Sequence, residues 1–256
     1  MSLPGIHRFK RHPLPIVAHF RHSLVLTYAL PREVLRPLLA PGLMLDAFGD
    51  LGFLAIALVQ TERLRPAFLP AALGQDFFLS GYRIFTRFQT RSGRTLRGLR
   101  ILRSDTNRAF MARFGNLLTH YHYRLATVGL SADADRLEVN ISTPREEADL
   151  HVVADLREAT TLPAGSPFSD WHQARLFAGP LPFTFDYEAE THSIVVIEGV
   201  RQNWHPRPVN VQAIRSSFLQ RAPFAATSPV LASAFHVSNI PYRWKRGVVE
   251  PLPSPL

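Results

Sequence analysis

Cysteine is absent from this 256-residue chain, and lysine nearly so: Lys10 and Lys245 are the only lysines among 29 basic residues. Without cysteine there is no disulfide framework, no thiolate nucleophile and no thiolate metal site. The arginine skew resembles a coding bias, which would scatter arginines without functional intent. Long apolar runs are missing as well. The most apolar stretch, "LGFLAIALV" at 51–59, is about half of what a membrane-spanning helix needs. The start, "MSLPGIHRFKRHPLPIVAHFRH", is basic but has no signal-peptide core, so a soluble cytoplasmic protein without a membrane span is expected. No nucleophile elbow, P-loop or dinucleotide glycine fingerprint occurs.

What is present favours a globule with a sizeable core, 46% hydrophobic and 19% charged. The 21 prolines and 18 phenylalanines suit a loop-rich, sheet-containing fold better than a helical bundle. No repeat or linker divides the chain, so one domain over 1–256 is expected, its core about 20–245, with disorder only at "MSLPG" and "EPLPSPL". The formal charge of +9 favours an anionic partner: nucleic acid, a phospholipid surface or an acidic small molecule.

Strands are expected at 23–30 and 51–60, with a short helix between them in "PREVLRPLLAPGL". "GYRIFTRFQT", "RSGR" and "TLRGLRILRS" read as a hairpin turning at Ser92-Gly93. "SDTNRAFMARFGNLL" takes helical spacing, capped by Ser104 or Asp105, with Phe110, Phe114, Leu117 and Leu118 as its buried stripe. Strands follow at 120–128 and 135–142, then a short helix in "SDWHQARLF". Further strands are read in "FTFDYEA", "HSIVVIEGVRQNW" and "LASAFHVSNIPYRW". Eight or nine strands with mostly short connections indicate an α+β, mainly β fold with a curled antiparallel sheet.

"RSGRTLRGLRILRSDTNR" (91–108) carries an arginine at every third position from Arg91 to Arg103, and another at Arg108. On a strand, period three puts successive arginines on opposite faces. Arg97 and Arg103 fall with Leu99 and Ile101, Arg100 with Leu96, Gly98 and Leu102. One face should be interior, so at least one arginine points inward. Between Asp76 and Asp133 there are ten arginines and one carboxylate, Asp105. An inward arginine therefore needs a distant counter-ion such as Glu138, Glu188 or Glu198, or a ligand carboxylate or phosphate. Nucleic acid is the weakest reading, since no recognition motif accompanies the charge.

"HYHYR" places His120, His122 and Arg124 on one face and Tyr121 and Tyr123 on the other. The histidines could be structural, could exchange protons with a ligand, or could share a metal. No third ligand has metal-site spacing, so no metal and no cofactor are assigned. His7, His12, His19 and His22 form no ligand pattern and read as surface, and Trp204-His205-Pro206 as a packed corner.

"SLVLTYALPREVLRPLLAPGLMLDAFGDLGFLAIALVQTERLRP" resembles the opening of the bacterial YqjF-like family, domain of unknown function 2071, in the acetoacetate-decarboxylase-like superfamily. "GYRIFTRFQTRSGRTLRGLRILRSDTNRAFMARFGNLLTHYHYRLATV" is similar to its central unit, and "EGVRQNWHPRP" and "FHVSNIPYRW" to its two C-terminal motifs. The resemblance implies a cone or barrel around an interior cavity, with short helices outside. In true acetoacetate decarboxylases a cavity lysine near the corresponding "SDTNRAF" forms a Schiff base. Here the nearest basic residue is Arg108, which cannot form an imine, and the cavity glutamates are not matched.

Two functional readings follow. The cavity holds a small anionic organic molecule, with Arg100, Arg108 and Arg83 as substrate-binding candidates and His120 and His122 as catalytic ones. Any reaction would then be lyase- or hydrolase-like on a small carboxylate. Alternatively, the chain is a non-catalytic module whose basic surface takes nucleic acid, anionic lipid or a protein. A homo-oligomer is open under either.

Overall fold

The computed structural model describes residues 6–178 and 181–253. The chain runs through β1 (Ile16–Pro31), α1 (Arg32–Leu35), β2 (Leu43–Leu45) and β3 (Leu51–Pro66). The hairpin β4 (Gln75–Gln89) and β5 (Thr95–Thr106) leads to α2 (Ala109–Leu118) and β6 (Tyr123–Leu125). Next come β7 (Thr127–Ala132), β8 (Arg136–Ser142), β9 (Leu150–Glu158) and α3 (Trp171–Ala178). The last strands are β10 (Phe183–Glu188), β11 (Ser193–Arg201), β12 (Arg207–Ser216), β13 (Val230–Trp244) and β14 (Val248–Pro251).

Seven strands form a ring in the order β11–β10–β5–β4–β3–β1–β13. It closes where β13 returns to β11 through Gly199↔Trp244, Val200↔Arg243 and Arg201↔Tyr242. A second run, β12–β9–β8–β7, continues from β13 and covers the outer face of β1, β3 and β4. Both faces of the long strands are thereby enclosed, and this is why β1 and β3 read as near-continuous apolar runs. Leu24, Leu26, Ile56 and Ile84 on the outer face of the ring pack against Val139 and Val152, all fully buried. Each such side chain contributes about 1.5–3 kcal/mol of transfer free energy. At one end of the ring, Phe168 stacks on Phe53 at 5.4 Å, and Ala174 of α3 joins the same cluster.

The sheet departs from the expected pattern in several respects. It is mixed: β5 pairs parallel with both β10 and β6, because the chain leaves and re-enters beside β5 in the same direction. Fourteen strands form among the described residues, against eight or nine read. β9 and β12 escape an alternation test because polar residues interrupt them. The segment 120–128 is broken: His122 takes a left-handed backbone with φ 53°, and pairing resumes only at Tyr123. Ser104 and Asp105 belong to β5, so α2 starts later, at Arg108, with no side-chain cap. Phe110, Phe114 and Leu117 are exposed, not a buried stripe. "MSLPG" lies outside the described residues, while β14 carries ordered pairing to Pro251. Among the described residues, no helix is long and apolar enough to cross a membrane.

Candidate functional site

The inner face of the ring surrounds a cavity of about 400 Å³. Small side chains keep it open: Ser23 on β1 and Ala55 and Ala57 on β3 line it where larger residues would fill it. Phe85, Leu99, Ile101 and Phe235 make the neighbouring wall apolar. A register shift between Tyr82 and Arg83 on β4 sets the polarity of the remainder. It lets both Ile101 and Ser104 face the cavity, whereas strict alternation would separate them. Arg103 is thereby turned to the outer face, so Arg97 and Arg103 do not share a side.

Three arginines line this interior, Arg65, Arg83 and Arg201; Arg65 is held by the Leu69 and Arg63 carbonyls at 3.0 and 2.8 Å, and Arg83 sits on the inner wall. It lies deep in the fold and lines the cavity. Its Nε has no hydrogen-bond partner, and the residue makes no ion pair among the described residues. Burial pulls its pKa down, and the nearby phenols of Tyr242, Tyr121 and Tyr123 oppose that pull. Arginine nevertheless stays protonated, so a formal charge sits in a largely apolar chamber. Arg201 is close enough to feel the Arg83 charge, and it lies over Trp204 with 4.7 Å from Cζ to the ring centroid.

Glycines make room for these groups. A Cβ at position 81 would lie 2.9 Å from the Arg83 Nε. One at 115, on α2, would lie 2.4 Å from the Tyr123 ring, and one at 199 only 2.0 Å from the Tyr242 hydroxyl. Asn116 fixes α2 to the aromatic wall: its amide nitrogen donates to the Tyr123 carbonyl at 2.8 Å, and its oxygen accepts the Tyr123 N–H at 2.7 Å. Burial raises the pKa of Tyr121 and Tyr123, so both remain neutral donors. The Tyr121 hydroxyl lies beside Thr184 without a hydrogen bond of regular geometry.

Behind the tyrosines, Asp186 is buried with Oδ2 unpartnered. Burial raises its pKa to about 7, against an opposing effect of Arg100. Arg100 itself does not line the cavity; its Nε donates to the Leu38 carbonyl at 3.0 Å. Arg108 is also outside, its Nε on the Asp76 carbonyl at 3.4 Å. His120 and His122 are not part of the lining, and burial holds both below the usual imidazole pKa. Of the five candidates from sequence, the fold brings Arg83 alone to the cavity. His12, read as surface, is instead buried on the cavity wall, with burial lowering its pKa to about 4.

Two further members of the arginine ladder, Arg97 and Arg103, are engaged in ion pairs, while Arg91 and Arg94 are exposed at the turn. Arg97 and Arg87 share the buried Asp46, each with a 2.6 Å contact. Arg103 holds Asp105 at 2.8 Å and Glu147 at 2.6 Å, and Arg124 joins Glu147. None of these partners is Glu138, Glu188 or Glu198, which pair with Arg136, Arg11 and Lys245. No group of three or more potential metal ligands occurs among the described residues.

Sequence reasoning missed Arg201, Trp204, Tyr242 and Trp244 as parts of one wall. They lie in "EGVRQNWHPRP" and "FHVSNIPYRW", so the signal was there, but only ring closure brings the two stretches together.

Comparison with known proteins agrees with this fold. The chain superimposes on an enduracididine biosynthesis enzyme, MppR, complexed with a condensation product of pyruvate and imidazole 4-carboxaldehyde. The TM-score is 0.62 at 13% identity, over 93% of this chain and 89% of that one. Acetoacetate decarboxylase from Legionella pneumophila gives 0.61 at 11% identity, over 93% and 87%. An acetoacetate decarboxylase-like enzyme from Sphingomonas wittichii gives 0.55 at 14%, over 94% and 93%. No curated protein matches the sequence. The model of the DUF2071 family, described as an uncharacterised conserved protein, matches residues 17–244. With nearly the whole ring inside that match, the chain belongs to the DUF2071 family and has the acetoacetate-decarboxylase-like fold.

Proposed function

We propose that the cavity binds a small organic acid, with its carboxylate on the guanidinium of Arg83. The observation that carries this reading is a half-buried arginine without a carboxylate partner, facing a largely apolar chamber. A ligand carboxylate supplies the missing charge and accepts two parallel N–H bonds from the planar fork. The neutral phenols of Tyr121 and Tyr123 supply further donors for its oxygen atoms. Pyruvate-derived and β-keto-acid chemistry in proteins of this fold points the same way.

Imine chemistry is not part of the proposal. Lys10 and Lys245 are absent from the lining, and Lys245 is engaged with Glu198 at 2.9 Å. Arg100 and Arg108 bind backbone carbonyls and frame the site from outside. Pairing with Asp46, Asp105 and Glu147 also takes Arg97 and Arg103 out of the ladder as free cations, which interrupts it as a basic stripe.

Thermal-shift and calorimetric titration against keto, hydroxy and simple carboxylic acids tests the reading. An acid at a hundredfold excess over its Kd stabilises the protein by about 2.7 kcal/mol. Arg83→Met removes an unpaired charge from the fold's interior cavity, so it should hold or raise the melting temperature while abolishing acid binding. The reading fails if no acid binds, or if Arg83→Met binds acids as well as the wild type.

A further inference from the structure

The same cavity that holds Arg83 also runs out to solvent. Its lining includes Phe110 and Phe114 of α2, which are 51% and 47% exposed, Leu73, 59% exposed, and Leu14, 39% exposed. Phe110 and Phe114 pack together with ring centroids 4.2 Å apart, so the rim is a preformed aromatic edge. The path from solvent to the cation is therefore greasy at its mouth and apolar along its walls.

Resting on the reading of Arg83 as a carboxylate site, we infer that the ligand is an amphipathic acid: a carboxylate carrying a medium-length apolar tail that passes between Phe110, Phe114 and Leu73. Three features favour this over a three- or four-carbon keto acid. A cavity of about 400 Å³ is in the range of ~300–1,000 Å³ that encloses drug-sized ligands. A short acid on Arg83 would leave most of the apolar lining without contact, forfeiting its dispersion energy. The exposed rim residues are also explained, since a tail in the mouth covers apolar surface that α2 otherwise presents to water.

The test is a chain-length series of straight carboxylates from butanoate to decanoate, kept below micelle-forming concentrations, titrated calorimetrically into the wild-type protein. Each added methylene buried in the channel should tighten binding on the order of three- to fourfold. Phe110→Ala and Phe114→Ala should flatten that slope. A flat series, in which butanoate binds as tightly as decanoate, overturns the amphipathic assignment and leaves the acid reading standing. Failure of every member to bind overturns both. Equal affinity for decanoate and its methyl ester also overturns both, since the carboxylate would then carry nothing.

Discussion

The Arg83 guanidinium folds back over Gly81, two residues earlier on the same strand, so closely that a Cβ there would meet Nε at 2.9 Å and Nη2 at 3.0 Å. Glycine at 81 is thus a condition for the orientation of the cation. Gly81→Ala should move the flexible end of Arg83 and leave the strand paired. The expected result is acid binding weakened about tenfold or more, roughly 1.4 kcal/mol, with a smaller change in stability. Titration of the variant beside Arg83→Met checks this; wild-type affinity in Gly81→Ala would show that the packing is incidental.

Ala57 sits at the middle of β3 with its methyl group on the cavity wall. Ala57→Leu places a branched side chain in the space a ligand needs. Overpacking costs typically 1–3 kcal/mol, but at an open cavity the added atoms have room, so the loss should fall at or below the low end. Acid-dependent stabilisation should disappear. A melting curve with and without ligand separates these two effects.

Asp186 sets an unusual pH dependence. Burial raises its folded pKa to about 7, well above the usual carboxylate range, so above about pH 4 the unfolded chain releases this proton while the folded chain keeps it. Stability from this group is fully present below the unfolded pKa and lost as pH rises towards 7, an effect of up to about 4 kcal/mol. His12 and His236 act oppositely. Their folded pKa values fall to about 4, so acidification from 6.5 towards 4 protonates the unfolded chain first and lowers stability. In the wild type the single aspartate offsets only part of the effect of the two histidines across pH 4–6.5. Asp186→Asn removes the opposing trend, so its unfolding free energy should rise with pH through that window more steeply than the wild type's, measured by urea titration at each pH.

Arg103 and Asp105 are both buried, and the pair extends through Glu147 to Arg124. Arg103→Met leaves Asp105 without its main counter-charge and should destabilise the fold by about 3–5 kcal/mol. Adding Asp105→Asn to that variant should recover a substantial part. A double-mutant cycle by chemical denaturation measures the coupling, and simple additivity would show that the pair is not linked.

The long strands were legible because their composition is aliphatic and aromatic and their turns carry glycine, as in the 91–94 turn, where Gly93 has φ 81°. β9 and β12 were not, since Asp155 in one and Asn210 in the other interrupt the apolar pattern. For the site, alternation assumed a strand through 120–123 that the left-handed backbone of His122 interrupts, and it could not tell which side chains border an open interior. The β4–β5 irregularity then moved Arg103 across the sheet, an event no periodicity records. The apolar stripe of α2 was real, yet spacing alone does not distinguish a helix that seals a core from one that borders an opening.

The ring closes along only three residue pairs between β11 and β13, and one of them joins Arg201 to Tyr242. Within the ring only the β5–β10 join, with two pairs, is shorter; the β11–β13 join is therefore one of two places where the barrel can part, and parting there would dismantle the wall on that side. A molecule seated on Arg83 of β4, across the interior, and touching Tyr242 would tie the two sides together. The ligand then acts as a clasp for the protein that encloses it, and amide hydrogens of 199–201 and 242–244 should exchange more slowly once it is bound.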